Sequence, residues 1–149
     1  MSFVKSDRVE KKSNAVLKKT FKEVVIDKSP LKVASTNKDE KWYSISDKTS
    51  KQSKGYMLTT SAIGRFDKFD FMVLFNPNKS INKVRVLIYR EQHGGEIASK
   101  RWLKQFEGKT IKNTKTLNKE VDGISGATLS CNAITKEIKN SLIKIQKVK

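Results

Sequence analysis

Cysteine occurs once in the 149 residues, at Cys131, so no intrachain disulfide can form and no cysteine-based metal cluster is possible. Histidine is equally scarce: His93 stands alone, which leaves metal binding to carboxylates and removes the usual basis for a dedicated metal site. No stretch approaches the ~20 consecutive apolar residues of a membrane span, and Met1 to Thr20 lacks the apolar centre of a signal peptide. The chain also lacks internal repeats, a Rossmann glycine pattern, a P-loop, a Ser/His/Asp order of hydrolase type and paired carboxylates at a defined helical spacing. A free-standing enzyme therefore has little support.

Acidic residues are few, 15 against 32 basic, and the net charge is +17. Arginine is rarer still. Only five of the basic residues are Arg and 27 are Lys, a hydrated point charge without the planar fork that reads bases or phosphates bidentately. This favours a diffuse electrostatic surface over a specific nucleic-acid reader, suited to an acidic partner or an anionic membrane surface. The length fits one domain with one core.

Along the chain, Val16, Leu17, Phe21, Val24 and Val25 recur at helical spacing and predict an amphipathic helix from about Val9 to Val25, with its lysines solvated. Pro30 and the small polar residues of Asp27 to Glu40 predict a connection with one short strand at Leu31 to Ala34. Trp42, Tyr43 and Ile45 mark the next strand, and Gly55 to Ser61 another. Phe69, Phe71, Val73 and Phe75 alternate until Asn76-Pro77-Asn78 turns the chain into a strand alternating Val84, Val86 and Ile88 against Arg85, Leu87 and Tyr89. This antiparallel pair is expected in the middle of the sheet. Ala98, Trp102, Leu103 and Phe106 share a helical face that ends at Gly108, and Trp102 reads as core. Thr110 to Lys119 reads as a polar strand or loop, and Leu129, Ala133, Ile134, Ile138, Leu142 and Ile145 form the apolar stripe of a closing helix.

The start of that helix is the most informative stretch: Asp122-Gly123-Ile124-Ser125-Gly126-Ala127-Thr128-Leu129-Ser130. Two glycines permit backbone angles that a β-carbon forbids, and Ser125, Thr128 and Ser130 bring three hydroxyls to a helix N-terminus. Unpartnered N–H groups and the positive end of the helix dipole suit a phosphate there. The dipole contributes only about 0.3–1 kcal/mol, too little to retain a cofactor by itself.

Asp122 followed by Ser125-Gly126-Ala127-Thr128 and Ser130 resembles the flavinylation motif of the FMN-binding domains of sodium-pumping NADH:quinone oxidoreductase and Rnf-type electron-transport complexes. The resemblance implies FMN joined by a phosphoester to Thr128, placed there by a Mg-dependent flavin transferase that uses FAD as donor. It implies that Asp122, Ser125, Gly126, Ala127 and Leu129 surround the attachment point, with Asp122 either helping the transfer or capping the turn. The Trp102 to Lys109 run also looks like a family segment, so the resemblance covers roughly Gly55 to Ile145, with residues 1–54 adding an N-terminal helix, a linker and a first strand.

A second stretch, Tyr89 to Glu96, has two adjacent glycines after a strand, where a backbone can come close to a flat ligand. In the family a glycine-containing loop that often carries a Glu approaches the flavin here. By resemblance that role passes to Gly94, Gly95 and Glu96, with His93 beside them, although an ordinary strand-to-helix connection explains the same residues.

The expected fold is α+β: a single domain with an antiparallel or mixed sheet of about five strands, and N-terminal, middle and C-terminal helices packed on it. Thr128 is expected at the sheet's rim, facing the Gly94-Gly95 loop. The expected function is electron transfer through FMN, with the transferase as maturation partner and an acidic or membrane-associated protein as redox partner. Two rivals remain open at this point, a flavin-dependent reductase of a small substrate and a basic binding module for nucleic acid or an anionic surface. Family members are often extracytoplasmic and tethered by an N-terminal segment. The compartment is accordingly extracytoplasmic or periplasmic, at the membrane, if a leader has been removed, and otherwise cytoplasmic.

Overall fold

The alternating apolar residues at the centre of the chain build a sheet with two covered faces. The computed structural model describes residues 2–64, 67–90, 98–123 and 128–148, with side chains from residue 8 onward. Five strands, β1 (Ile26–Leu31), β2 (Lys41–Asp47), β3 (Ser53–Ile63), β4 (Lys68–Phe75) and β5 (Ile81–Ile88), follow one another in space as they do in sequence, and every neighbouring pair is antiparallel. Short turns suffice for such a meander. The fold is the expected single α+β domain with N-terminal, middle and C-terminal helices.

One face carries Trp42, Leu58, Phe69, Phe71, Val73, Phe75 and Val84 and meets the C-terminal helix α4 (Thr128–Ile145) through Ile134, Ile138, Leu142 and Ile145. Trp102, Leu103, Phe106 and Leu117 fill the same core from α2 (Lys100–Leu103), the 3-10 turn Lys104–Phe106 and α3 (Leu117–Glu120). Burying a side chain such as Phe71 or Leu142 contributes about 1.5–3 kcal/mol each. The other face, with Ile45, Met57, Met72, Leu74, Leu87 and Ile88, is covered by α1 (Ser2–Thr20) through Leu17, with Val9, Val16 and Phe21 at its margin. The domain thus has three layers: α1, the sheet, and the α2–α4 group.

Several boundaries differ from the sequence reading. Helix α1 stops at Thr20, and Val25 is 63% exposed, because the chain must turn at residues 21–24 to enter β1. The short strand lies at Ile26–Leu31 and includes Pro30, which an edge strand tolerates because it pairs on one side only. The β4–β5 pair is not central: β5 is the other edge and β3 is the middle strand. A register shift where Asp70 opposes Ile88 and Phe71 opposes Val86 leaves Leu87 extra, so Leu87 and Ile88 both join the α1 side and the simple alternation fails. Ala98 is exposed ahead of α2. Residues 110–119 hold no strand but a 3-10 turn, Ile111–Asn113, capped by Thr110, and the start of α3.

Among the described residues, two glycines have positive φ, for different reasons. Gly55, at φ +117°, lets β3 pass so close to β4 that a β-carbon would lie 1.9 Å from the Phe75 carbonyl oxygen. Gly108, at φ +83°, ends the 3-10 turn in open space. From there the Gly108 N–H donates to the Ile81 carbonyl and the Ile81 N–H to that of Lys109, covering the beginning of the β5 edge.

Candidate functional site at the start of the last helix

Thr128 is the first residue of α4, and it is exposed, as is Leu129 beside it. Ser130 and Cys131 turn inward and are buried, so of the motif's described hydroxyl-bearing residues only Thr128 is exposed. Leu129, at 58% exposed, leaves the apolar stripe in which the periodicity had placed it. Residues 124–127, which include Ser125, Gly126 and Ala127, lie outside the described residues, and so do His93, Gly94, Gly95 and Glu96.

The approach to Thr128 is fixed on one side by the middle helix. The Trp102 indole Nε1–H donates to the Asp122 carbonyl at 2.6 Å, and the Asp122 N–H donates to Gln105 Oε1 at 2.7 Å. Gln105 is itself oriented by its Nε2–H, which donates to the Trp102 carbonyl at 3.0 Å. Trp102 is buried and meets Phe106 edge-on with ring centroids 5.4 Å apart, so Asp122 hangs from the core by its backbone while its side chain stays exposed. Trp102 is therefore core, as its position on the helix predicts. Gly123 follows in open space.

The far end of α4 is secured twice. Lys144 Nζ donates to both carboxylate oxygens of Glu40 at 2.9 and 3.0 Å, and Glu40 also accepts from the Trp42 indole and the Ser35 hydroxyl. Beyond the helix, Lys79 in the β4–β5 turn donates to the Val148 carbonyl. Helix α4 therefore runs from the rim where β3 ends to the rim where β4 turns into β5.

Against the middle of α4, a cleft of about 520 Å³ opens between the helix, the end of β3 and the β1–β2 connection. Ala133, Lys136 and Glu137 line it from the helix, and Ser61, Ala62 and Ile63 from the strand. Leu129 precedes Ala133 by one helical turn on the same face. Inside the cleft, Asp39 Oδ2 accepts from the Ser61 hydroxyl and from Lys68 Nζ, both at 2.9 Å, and the Asn37 amide donates to Thr60 Oγ1 and the Ser61 carbonyl. Burial, and then the negative charge of Glu40, hold the Glu137 carboxyl above its ordinary range, against the opposing pull of Lys144 and Lys136.

The chain leaving β5 is tied to the same rim. Arg90 Nη2–H donates to Asp70 Oδ2 at 2.7 Å and Nη1–H donates to the Lys68 carbonyl at 2.8 Å, immediately before residues 91–97. Asp70 is 2% exposed. Sequence reasoning missed this pair, although a lone charge inside the run Phe69-Asp70-Phe71-Met72 was a usable signal, since a buried carboxylate requires a partner. It also missed Gln105 and Glu40, whose roles depend on contacts distant in sequence.

An exposed threonine at the start of a long helix packed on a sheet is an arrangement suited to a phosphate-bearing ligand. The chain matches the FMN-binding domain family over residues 64–143, more than half its length, and belongs to that family. The matched region opens at the end of β3 and takes in β4, β5, α2, α3 and most of α4, so the cofactor of this domain class is FMN. No curated protein sequence matches the chain.

Proposed function

We propose that the chain is an electron-transfer domain that carries FMN through a phosphoester on Thr128. The observation that carries this reading is the exposed position of Thr128 as the first residue of an 18-residue helix in a chain of the FMN-binding family. An esterified phosphate at that oxygen would lie at the helix N-terminus, where first-turn N–H groups lack intrahelical partners, and an exposed residue can be reached by a transferase. In the attachment step the Thr128 oxygen bonds to the FMN phosphorus of FAD, the bond to AMP breaks, and the hydroxyl proton passes to a base. An alcohol needs such help at neutral pH, from a base or from the Mg of the transferase. Asp122, exposed and held by its backbone six residues earlier, is the chain's own candidate to assist. Ser125, Gly126, Ala127 and Leu129 would border the attached phosphate and ribityl chain, and Gly94, Gly95, Glu96 and His93 would approach the ring.

Bound flavin supplies the redox chemistry, and the protein's part is to hold it, orient it and set its surroundings. The cleft beside α4 favours a second reading, a reductase that admits a small substrate next to the flavin. Steady turnover with NADH and a small acceptor would select that reading.

The test is intact mass after co-expression with a flavin transferase. Thr128→Val keeps the β-branched shape and should give a folded protein without the FMN mass increment, while Asp122→Asn should slow attachment and leave the fold unchanged. An FMN adduct on the Thr128→Val protein would overturn the assignment.

A further inference from the structure

Helix α1 bears a second functional surface, on the face of the sheet opposite α4. At 3.6 residues per turn, Arg8, Lys11, Lys12, Ala15, Lys18 and Lys19 fall within an arc of about 120°. All five cations are exposed, and Lys22, also exposed, continues the line in the turn after the helix. The opposite arc holds Val9, Ser13, Val16 and Leu17, which face the core. Glu10, the one acidic residue between positions 8 and 20, falls outside the cationic arc and lies 3.6 Å from Lys28.

From this geometry we infer that the cationic stripe of α1 docks the domain onto an anionic lipid bilayer. The composition of the stripe argues for that partner over others. Protein interfaces are depleted of lysine at their centres and depend on aromatic or Arg anchors, and the described stripe has no aromatic residue and a single Arg. Nucleic-acid readers likewise favour the Arg fork and stacking aromatics. A bilayer is a fluid array of single negative charges that can rearrange beneath a row of point cations, and clusters of four to eight Lys and Arg on an amphipathic helix are the pattern it attracts. Among the side chains described, from residue 8 onward, the stripe contains no apolar residue larger than Ala15, so that contact is electrostatic, without insertion. With α1 against the lipid, the sheet separates Thr128 from the bilayer, and the site stays open to a soluble partner.

The experiment is co-sedimentation of the full chain with phosphatidylcholine vesicles, with and without about one-third phosphatidylserine. The wild-type chain should bind only the anionic vesicles, and less as salt rises. Each cation near the surface strengthens binding roughly fivefold, so the triple variant Lys11→Gln, Lys12→Gln, Lys19→Gln should bind about 100-fold more weakly. Glutamine preserves helix propensity, and unchanged circular dichroism verifies the fold. A control, Lys112→Gln, Lys115→Gln, Lys119→Gln, removes the same charge from exposed positions elsewhere and should stay within about fivefold of wild type. Failure of the wild-type chain to bind anionic vesicles overturns the proposal. So does a stripe variant that loses no more than the control, or a stripe that proves to matter for a short RNA duplex and not for vesicles. None of these outcomes depends on whether Thr128 carries flavin.

Discussion

Asp70 sits inside the sheet with almost no solvent, and its pairing with Arg90 fixes the point from which the chain departs into residues 91–97. Such a pair stabilises little relative to an apolar alternative, but breaking it from one side is costly. Arg90→Met should therefore destabilise the domain by about 3–5 kcal/mol in urea unfolding, and the double variant with Asp70→Asn should recover part of that loss. A single-variant loss below about 1 kcal/mol would mean that Arg90 does not hold the rim. Glu137 supplies a pH response at the same scale. Its carboxyl is raised above 4.5 mainly by burial, so the folded state holds that proton more tightly than the unfolded chain does. Its stabilising contribution is complete below that ordinary value and is lost as pH rises through the raised one. Glu137→Gln should flatten stability against pH in that window, and urea midpoints at about pH 4 and about pH 7 would show it.

The elements were legible in the sequence wherever an apolar period ran undisturbed. Phe69 to Phe75 keep a spacing of two and Ile134 to Ile145 one of three or four, and each forms the element that spacing predicts. The reading failed where position in the sheet overrides the local pattern. Pro30 looked like a breaker because nothing local shows that its strand lies at an edge, and the extra residue at Leu87 hides in a sequence that alternates acceptably without it. At the candidate site, the motif around Thr128 could be proposed from the sequence because it is contiguous. Its support from Gln105 and Trp102, and the placement of Arg90 against Asp70, required the fold to bring together residues 17 to 20 positions apart. The two positive-φ glycines should separate by element. Gly55→Ala forces a β-carbon onto a strand carbonyl and should cost about 3 kcal/mol, whereas Gly108→Ala meets open space and should cost only the left-handed backbone penalty of about 1–2 kcal/mol. Comparable losses in denaturant titrations would refute the close-approach argument for Gly55.

For the whole molecule, the net charge of +17 belongs to every layer, so encounter with any acidic partner should be accelerated roughly 10- to 1000-fold at low ionic strength. Stopped-flow rates that do not change with salt would remove charge steering from the account. The order of the strands carries a further consequence. A meander in which each strand pairs with its sequence neighbour closes small loops and folds early, whereas α4 must wait for contacts with β3 and with Glu40, about a hundred residues away. During synthesis this order would let the strands pair before the helix that carries Thr128 has left the ribosome. If Thr128 is the attachment point proposed above, a transferase that recognises a formed helix start would act only on the finished domain, and flavin attachment would then serve as a quality-control step that passes over chains whose sheet has failed to assemble.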